Sequence, residues 1–182
     1  MKKKLLAILA IASVVPVASA ITPLWLRDVQ ISPDGSTIAF TYKGDIYTVP
    51  SRGGSATRLT SMPSYESNPV WSPDGKSIAF ASDRNGNFDI YAVDTAGGQA
   101  RRLTSNSASE IPEAFSPDGK YVLFSASIQD PVESALFPSS RMTELYKVPV
   151  KGGSTVQVLG TPAKMMSYLP DGKRFLYQDV KG

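Results

Sequence analysis

A Pro-Asp-Gly turn followed by a short apolar strand occurs four times, and no other feature of the sequence constrains the fold as much. The turns are Ser32-Pro33-Asp34-Gly35, Ser72-Pro73-Asp74-Gly75, Ser116-Pro117-Asp118-Gly119 and Leu169-Pro170-Asp171-Gly172. After them come Ile38-Ala39-Phe40, Ile78-Ala79-Phe80, Val122-Leu123-Phe124 and Phe175-Leu176-Tyr177. Self-similarity at this period marks a repeat architecture, in which units bury apolar faces against their neighbours. The fourth unit has its turn and one strand before Gly182, so an incomplete ring is expected.

The register continues past the first strand. Asp45-Ile46-Tyr47, Asp89-Ile90-Tyr91 and Glu144-Leu145-Tyr146 are each followed six residues after the Tyr by Gly53-Gly54, Gly97-Gly98 or Gly152-Gly153. Twelve residues after the Tyr comes Leu59, Leu103 or Val158. Each unit therefore reads as four short strands, A to D. Proline at the second turn position presets φ, and the glycine pairs supply the positive φ of a second hairpin. In the B strand large residues alternate with small ones (Ile78 and Phe80 against Ala79 and Ala81), which suits a sheet packed on both faces. The expected fold is all-β: four-stranded antiparallel β-propeller blades, in an incomplete ring of about three and a half. The boundaries fall at about 24–60, 66–104 and 112–160, with a half blade at 164–182.

Residues 1–20 read as an export signal: Lys2 to Lys4, an apolar run from Leu5 to Val15, and a small-x-small Ala18-Ser19-Ala20. That run is shorter than the roughly 20 residues that span a bilayer. Cleavage after Ala20 would leave residues 21–182 as the partial propeller, in the periplasm or secreted, with no membrane anchor. Three lysines leave with the signal, and sixteen basic residues then face sixteen acidic ones. Nucleic acid has no electrostatic claim on such a chain.

No cysteine and no histidine occurs, which excludes disulfides, thiolate metal sites and the usual base of serine and cysteine hydrolases. No Gly-x-Ser-x-Gly elbow is present either. Asp83 to Asp89 superficially resembles a calcium loop, but Phe88 and Asp94 stand where the glycine and the bidentate glutamate belong. The turn aspartates Asp34, Asp74, Asp118 and Asp171 read as hairpin chemistry, one per blade around the rim. Trp71, Phe115 and Tyr168 share a strand A position and read as core. No catalytic residue, metal ligand or cofactor is expected. What distinguishes the units is the B-to-C loop: turn Asp to strand C Tyr spans 13, 17 and then 28 residues. A loop face that grows this way often marks the working face. The loop residues Gln129, Asp130, Glu133, Phe137 and Arg141 are therefore the candidate contacts to a partner domain or substrate.

The repeat over Asn68 to Thr104 resembles that of TolB-type propellers, shared by tricorn-like peptidases and some prolyl-oligopeptidase relatives. The opening Leu24 to Pro50, with Leu26-Arg27, Ile31-Ser32-Pro33-Asp34-Gly35 and Gly44-Asp45-Ile46-Tyr47, is similar to that of exported bacterial tricorn protease homologues. That resemblance covers Leu24 to Gly182 and implies the first propeller of a large, self-assembling serine peptidase. In such a protein the propellers gate or guide peptides toward a C-terminal PDZ and protease core. The partners implied are peptide or polypeptide substrate, the protein's own C-terminal domains and further copies of itself. None of the family's catalytic positions falls within this chain. The alternatives are a TolB-like periplasmic protein-binding scaffold without enzymatic activity, and the propeller of a dipeptidyl-peptidase-like hydrolase.

Overall fold

A computed structural model describes residues 25–128 and 143–180. The first sheet comprises β1 (Arg27–Ile31), β2 (Thr37–Tyr42), β3 (Asp45–Pro50) and β4 (Thr57–Arg58). The second comprises β5 (Glu66–Trp71), β6 (Ser77–Ser82), β7 (Asp89–Asp94) and β8 (Arg101–Arg102). The third is built from β9 (Glu110–Phe115), β10 (Tyr121–Ala126), β11 (Glu144–Pro149) and β12 (Val156–Gln157). A two-stranded sheet of β13 (Ala163–Tyr168) and β14 (Phe175–Asp179) follows. Strand order is sequential and every pairing antiparallel, as up-and-down blades require. The blade reading of the repeat is correct. The outer strands are shorter than the repeat suggests: β4, β8 and β12 have two residues each, and the amides of Leu59, Leu103 and Val158 just after them still donate to Ile46, Ile90 and Leu145 of the neighbouring strands.

Each turn closes the same way. Gly35 N–H donates to Ser32 O at 2.9 Å, the Ser32 hydroxyl to Asp34 Oδ1 at 2.6 Å, and Thr37 N–H to Ser32 Oγ at 2.9 Å. The second and third turns repeat this arrangement. In the fourth, Leu169 has no hydroxyl to offer, and Arg174 takes its place, donating from Nε to Asp171 Oδ2 at 2.7 Å. The turns also stack. A Cβ at Gly172 would stand 3.2 Å from Pro117 Cβ, while Gly75 and Gly119 sit against Pro33 and Pro73. Successive turns thus touch along the rim; φ calls for glycine in each, and at Gly172 space does as well.

The core lies in the seams between sheets. Ile78 and Phe80 point back onto Ala39 and Ile46 of the first sheet. Val122 and Phe124 point back onto Val70, Ala79 and Ile90 of the second. Leu123 points forward to Ala163 and Met166 of the fourth. The large-small alternation of the B strand is therefore a packing code: large side chains fill the space left by small ones one blade earlier. Within each full sheet a stacked cross-strand pair recurs: Phe40–Tyr47 at 5.8 Å, Phe80–Tyr91 at 6.0 Å and Phe124–Tyr146 at 5.7 Å.

Candidate functional site: the groove along the inner strands

The first strand of each sheet contacts the first strand of the next, so β1, β5, β9 and β13 form the inner wall of an arc. Along this wall runs a groove of about 830 Å³. Gln30, Trp71, Glu113, Phe115, Ser167 and Tyr168 line it, with prolines of the stacked turns at one end. Phe115 is buried, while Trp71 and Tyr168 are half-buried, so the equivalent aromatics serve core and groove wall together. The Trp71 indole N–H is already committed, donating to Gln30 O at 3.2 Å across the first seam.

All four inner strands carry a β-bulge at the same register position. Asp28, Asn68 and Met165 occupy it with φ of 51°, 53° and 54°, a conformation few non-glycine residues adopt; Pro112 takes the position in the third sheet. The bulge twists the inner edge and breaks up its row of free backbone groups. It also turns a backbone amide toward the preceding blade, where a carboxylate meets it at two of the three seams. Asp28 Oδ2 accepts Asn68 N–H at 3.2 Å and the buried Thr41 hydroxyl at 3.0 Å. Glu113 Oε1 accepts Met165 N–H at 3.2 Å and the buried Ser125 hydroxyl at 2.7 Å. At the middle seam Pro112 has no N–H to satisfy, and the Thr41/Ser125 position holds Ala81. Acid and hydroxyl appear together where an amide needs them and vanish together where it does not.

A second polar set runs along the opposite end of the seams. The Asp45 carboxylate pairs with Arg58 at 2.8 Å and that of Asp89 with Arg102 at 2.6 Å. Thr60 and Thr104 accept the amides of Ile46 and Ile90, both at 2.9 Å. Glu66 and Glu110, the first residues of β5 and β9, are fully buried beside them. Glu66 pairs with Arg84, whose guanidinium stacks 4.3 Å from the Tyr91 ring centroid. Glu110 accepts the Thr104 hydroxyl and the Asn106 amide. Burial pushes the Glu66 carboxyl above its ordinary 4.5, against the pull of Thr60 and Arg84, and burial raises Glu110 likewise. Sequence reasoning missed both glutamates. Their signal was a Thr-to-Glu spacing of six, Thr60 to Glu66 and Thr104 to Glu110, which the third unit lacks, having Leu159 and Ala163.

The turn aspartates are hairpin groups. Hydrogen bonds from Ser32 and Ser36 hold Asp34 down to about 2, and Asp74 and Asp118 are lowered by their serines first. Asp171 is lowered by the amide of Lys173 and then by Arg174. The Asp83 to Asp89 loop is spent on protein contacts. Asp83 Oδ1 accepts Tyr65 N–H at 2.8 Å, and Asn87 Nδ2 donates to Asn106 O and Ala108 O, both at 2.9 Å. These bonds, with Glu66 N–H to Gly44 O and Glu110 N–H to Phe88 O, put B-to-C loops and blade connections on one face. The candidate loop contacts Gln129, Asp130, Glu133, Phe137 and Arg141 lie outside the described residues.

Stacked four-stranded sheets around a groove, held by polar seams, define the class of a β-propeller. Residues 23–182 match the tricorn protease N-terminal beta propeller domain, and the chain belongs to that family. A periplasmic or secreted location is consistent with this membership. Among curated proteins it is similar to the uncharacterized peptidase YuxL of Bacillus subtilis (strain 168), 46% identical over 56 residues, 28% of this chain and 8% of YuxL. Among solved structures it resembles a TolB-designated protein of Agrobacterium tumefaciens at 30% identity and a TM-score of 0.67, over 82% of this chain and 52% of that one. It also resembles the tricorn protease at 17% identity and a TM-score of 0.52, over 68% of this chain and 13% of that one, a likeness of fold. The chain thus spans about half of the TolB-designated protein and a small part of the two others.

Proposed function

We propose that this chain is a non-catalytic, exported protein-binding propeller, whose inner groove receives an extended stretch of a partner polypeptide. The groove carries the reading: it is long, aromatic and proline-rich, and its one carboxylate among the described residues, Glu113, is already engaged with Ser125 and Met165. A surface of that chemistry favours contact with side-chain faces and backbone over charge recognition. The TolB-designated structure, matched over more of both chains than the tricorn protease, supports a scaffold acting through protein contacts. A second reading, favoured by the match to the tricorn propeller family and by the similarity to YuxL, has the same groove guiding peptide substrates toward the catalytic domains of a serine peptidase. Self-assembly belongs to that second reading. In both, residues 1–20 direct export, with a mature N-terminus at Ile21 that mass spectrometry of the exported protein checks.

Binding of unfolded polypeptide to the full chain separates a groove function from a bland surface. Trp71→Ala and Tyr168→Ala should each weaken binding about tenfold, the scale of one lost aromatic anchor. Val156→Ala, on the outer strand, should leave it unchanged. Equal effects at all three positions would remove the groove from the account.

A further inference from the structure

We propose that the groove opens at one end into a subsite for a cationic side chain, a cavity between the first two turns that takes a lysine or arginine of the partner polypeptide. This subsite presupposes a polypeptide in the groove and gives it one charged contact. The cavity, about 410 Å³, lies where the first and second sheets meet at the turn end of their seam. Pro33, Trp71 and Pro73 line both the cavity and the groove, so the two are continuous around the indole. The rest of its lining is polar, with the carboxylates of Asp34 and Asp74 and the hydroxyls of Ser36, Thr48 and Thr95.

Several of these groups have capacity left for a ligand. Asp74 accepts Ser72 Oγ–H and Lys76 N–H through Oδ1 alone. Its Oδ2 and the Thr48 hydroxyl have no hydrogen-bond partner among the described residues. Neither Asp34 nor Asp74 forms an ion pair there, although Lys76 stands exposed beside Asp74. At the third and fourth turns the equivalent Asp118 pairs with Lys120 at 3.4 Å and Asp171 with Arg174 at 2.7 Å. Hydrogen bonds from Ser32 and then Ser36 hold Asp34 down to about 2, and Ser72 leads the lowering of Asp74, so both are charged at neutral pH.

The next seam provides an internal comparison. Thr48 and Ala92 hold one register, opposite Ala39 and Ala79. Thr95 and Val150 hold another, donating N–H to Lys76 O and Lys120 O, and Ser51 donates likewise to Ser36 O. At the mouth of the second seam the counterparts of Thr48, Thr95 and Ser36 are therefore Ala92, Val150 and Lys76. Two hydroxyls have become apolar, a third has become a cation, and Phe115 stands in place of Trp71. The first seam combines two carboxylates without a counter-ion, an uncommitted hydroxyl and an indole at one opening. That set suits an alkylammonium or guanidinium: charge to the carboxylates, N–H to hydroxyl oxygen, and the cation or its methylene stem against the ring.

The test is binding of proline- and tyrosine-containing peptides to the full chain, measured by fluorescence anisotropy. The peptides differ at one position, walked along the sequence, which holds lysine or the neutral norleucine. At one position lysine should bind about tenfold tighter than norleucine at low salt, the scale of a cation set against an indole and exposed carboxylates. Asp34→Asn/Asp74→Asn should abolish that advantage, since asparagine still accepts the serine hydroxyls but carries no charge; Asp118→Asn should leave it intact. Should the double variant fail to fold, salt decides on the wild type: the lysine advantage should fall away at high ionic strength while norleucine binding holds. Equal binding of lysine and norleucine at every position, with Trp71→Ala still weakening both, would overturn the subsite and leave the groove standing. Should neither peptide bind, the groove reading fails, and Nα-acetyl-lysine methylamide judges the cavity by itself. It should shift the Trp71 indole N–H signal in NMR spectra of the wild type, and an unmoved signal would overturn the subsite as well.

Discussion

Replacing Glu113 by alanine should destabilise the chain by about 2 kcal/mol, although Glu113 is half-buried and lies at the edge of a groove. Its Oε1 accepts from two donors in different sheets, Ser125 Oγ and Met165 N. The Ser125 hydroxyl is buried, and leaving such a donor unpaired costs about 1–3 kcal/mol. Met165 is exposed, so its amide can turn to water, and the net loss there is about 0.5 kcal/mol. Ser125→Ala alone should cost about 1 kcal/mol, because Glu113 keeps Met165 and can take water at the vacated site. The double variant should cost about as much as Glu113→Ala alone, since an alanine at 125 leaves no hydroxyl to orphan. Urea denaturation measures all three, and the predicted coupling between the sites is about 1 kcal/mol. Additive losses, or a Glu113→Ala protein as stable as the wild type, would refute the bulge-capping account of the seams.

Three further outcomes follow from the same contacts. Glu66→Gln should cost about 3 kcal/mol by stranding Arg84 in a largely buried position, with most of it recovered in Glu66→Gln/Arg84→Leu; equilibrium unfolding tests this, and no recovery would count against the pair. Gly172→Ala should lower the melting temperature more than Gly35→Ala, because both glycines have positive φ but only the first abuts a proline, and equal losses would remove the stacked-turn argument. In a carbon-13 NMR titration Asp34 should reach half-protonation near 2; a lowered carboxyl contributes stability that is complete above the ordinary 3.8 and fades as pH falls through the folded value, so a midpoint at 3.8 would contradict the Ser32 bond.

The fold was legible because its signals are local. Ser-Pro-Asp-Gly fixes a turn within four residues, the glycine pairs fix another, and alternation in Ile78-Ala79-Phe80-Ala81 states which face meets which neighbour. The seams were less legible because they join residues from different units. Asp28 meets Asn68 forty positions away, and Glu113 meets Met165 fifty-two away, distances over which one sequence gives no pairing signal. Hints were present nonetheless. Pro69 and Pro112 inside inner strands announce a bulge, since proline is tolerated in a sheet chiefly at edges and bulges. The joint replacement of Thr and Glu by Leu159 and Ala163 likewise says that the two belong to one network. The proposed loop contacts from Gln129 to Arg141 rest on loop length alone, whereas the groove is defined by named side chains in four sheets.

The central claim is that the inner groove holds a partner polypeptide. Site-specific photo-crosslinking in cells exporting the full chain tests it most directly, with a photoreactive residue at Ser167 in the groove or at Val156 on the outer edge. Both positions are exposed, so reach does not distinguish them. The account predicts discrete polypeptide adducts from position 167, diminished by Tyr168→Ala, and none from position 156. Adducts from position 156 alone, or equally from both, would contradict it.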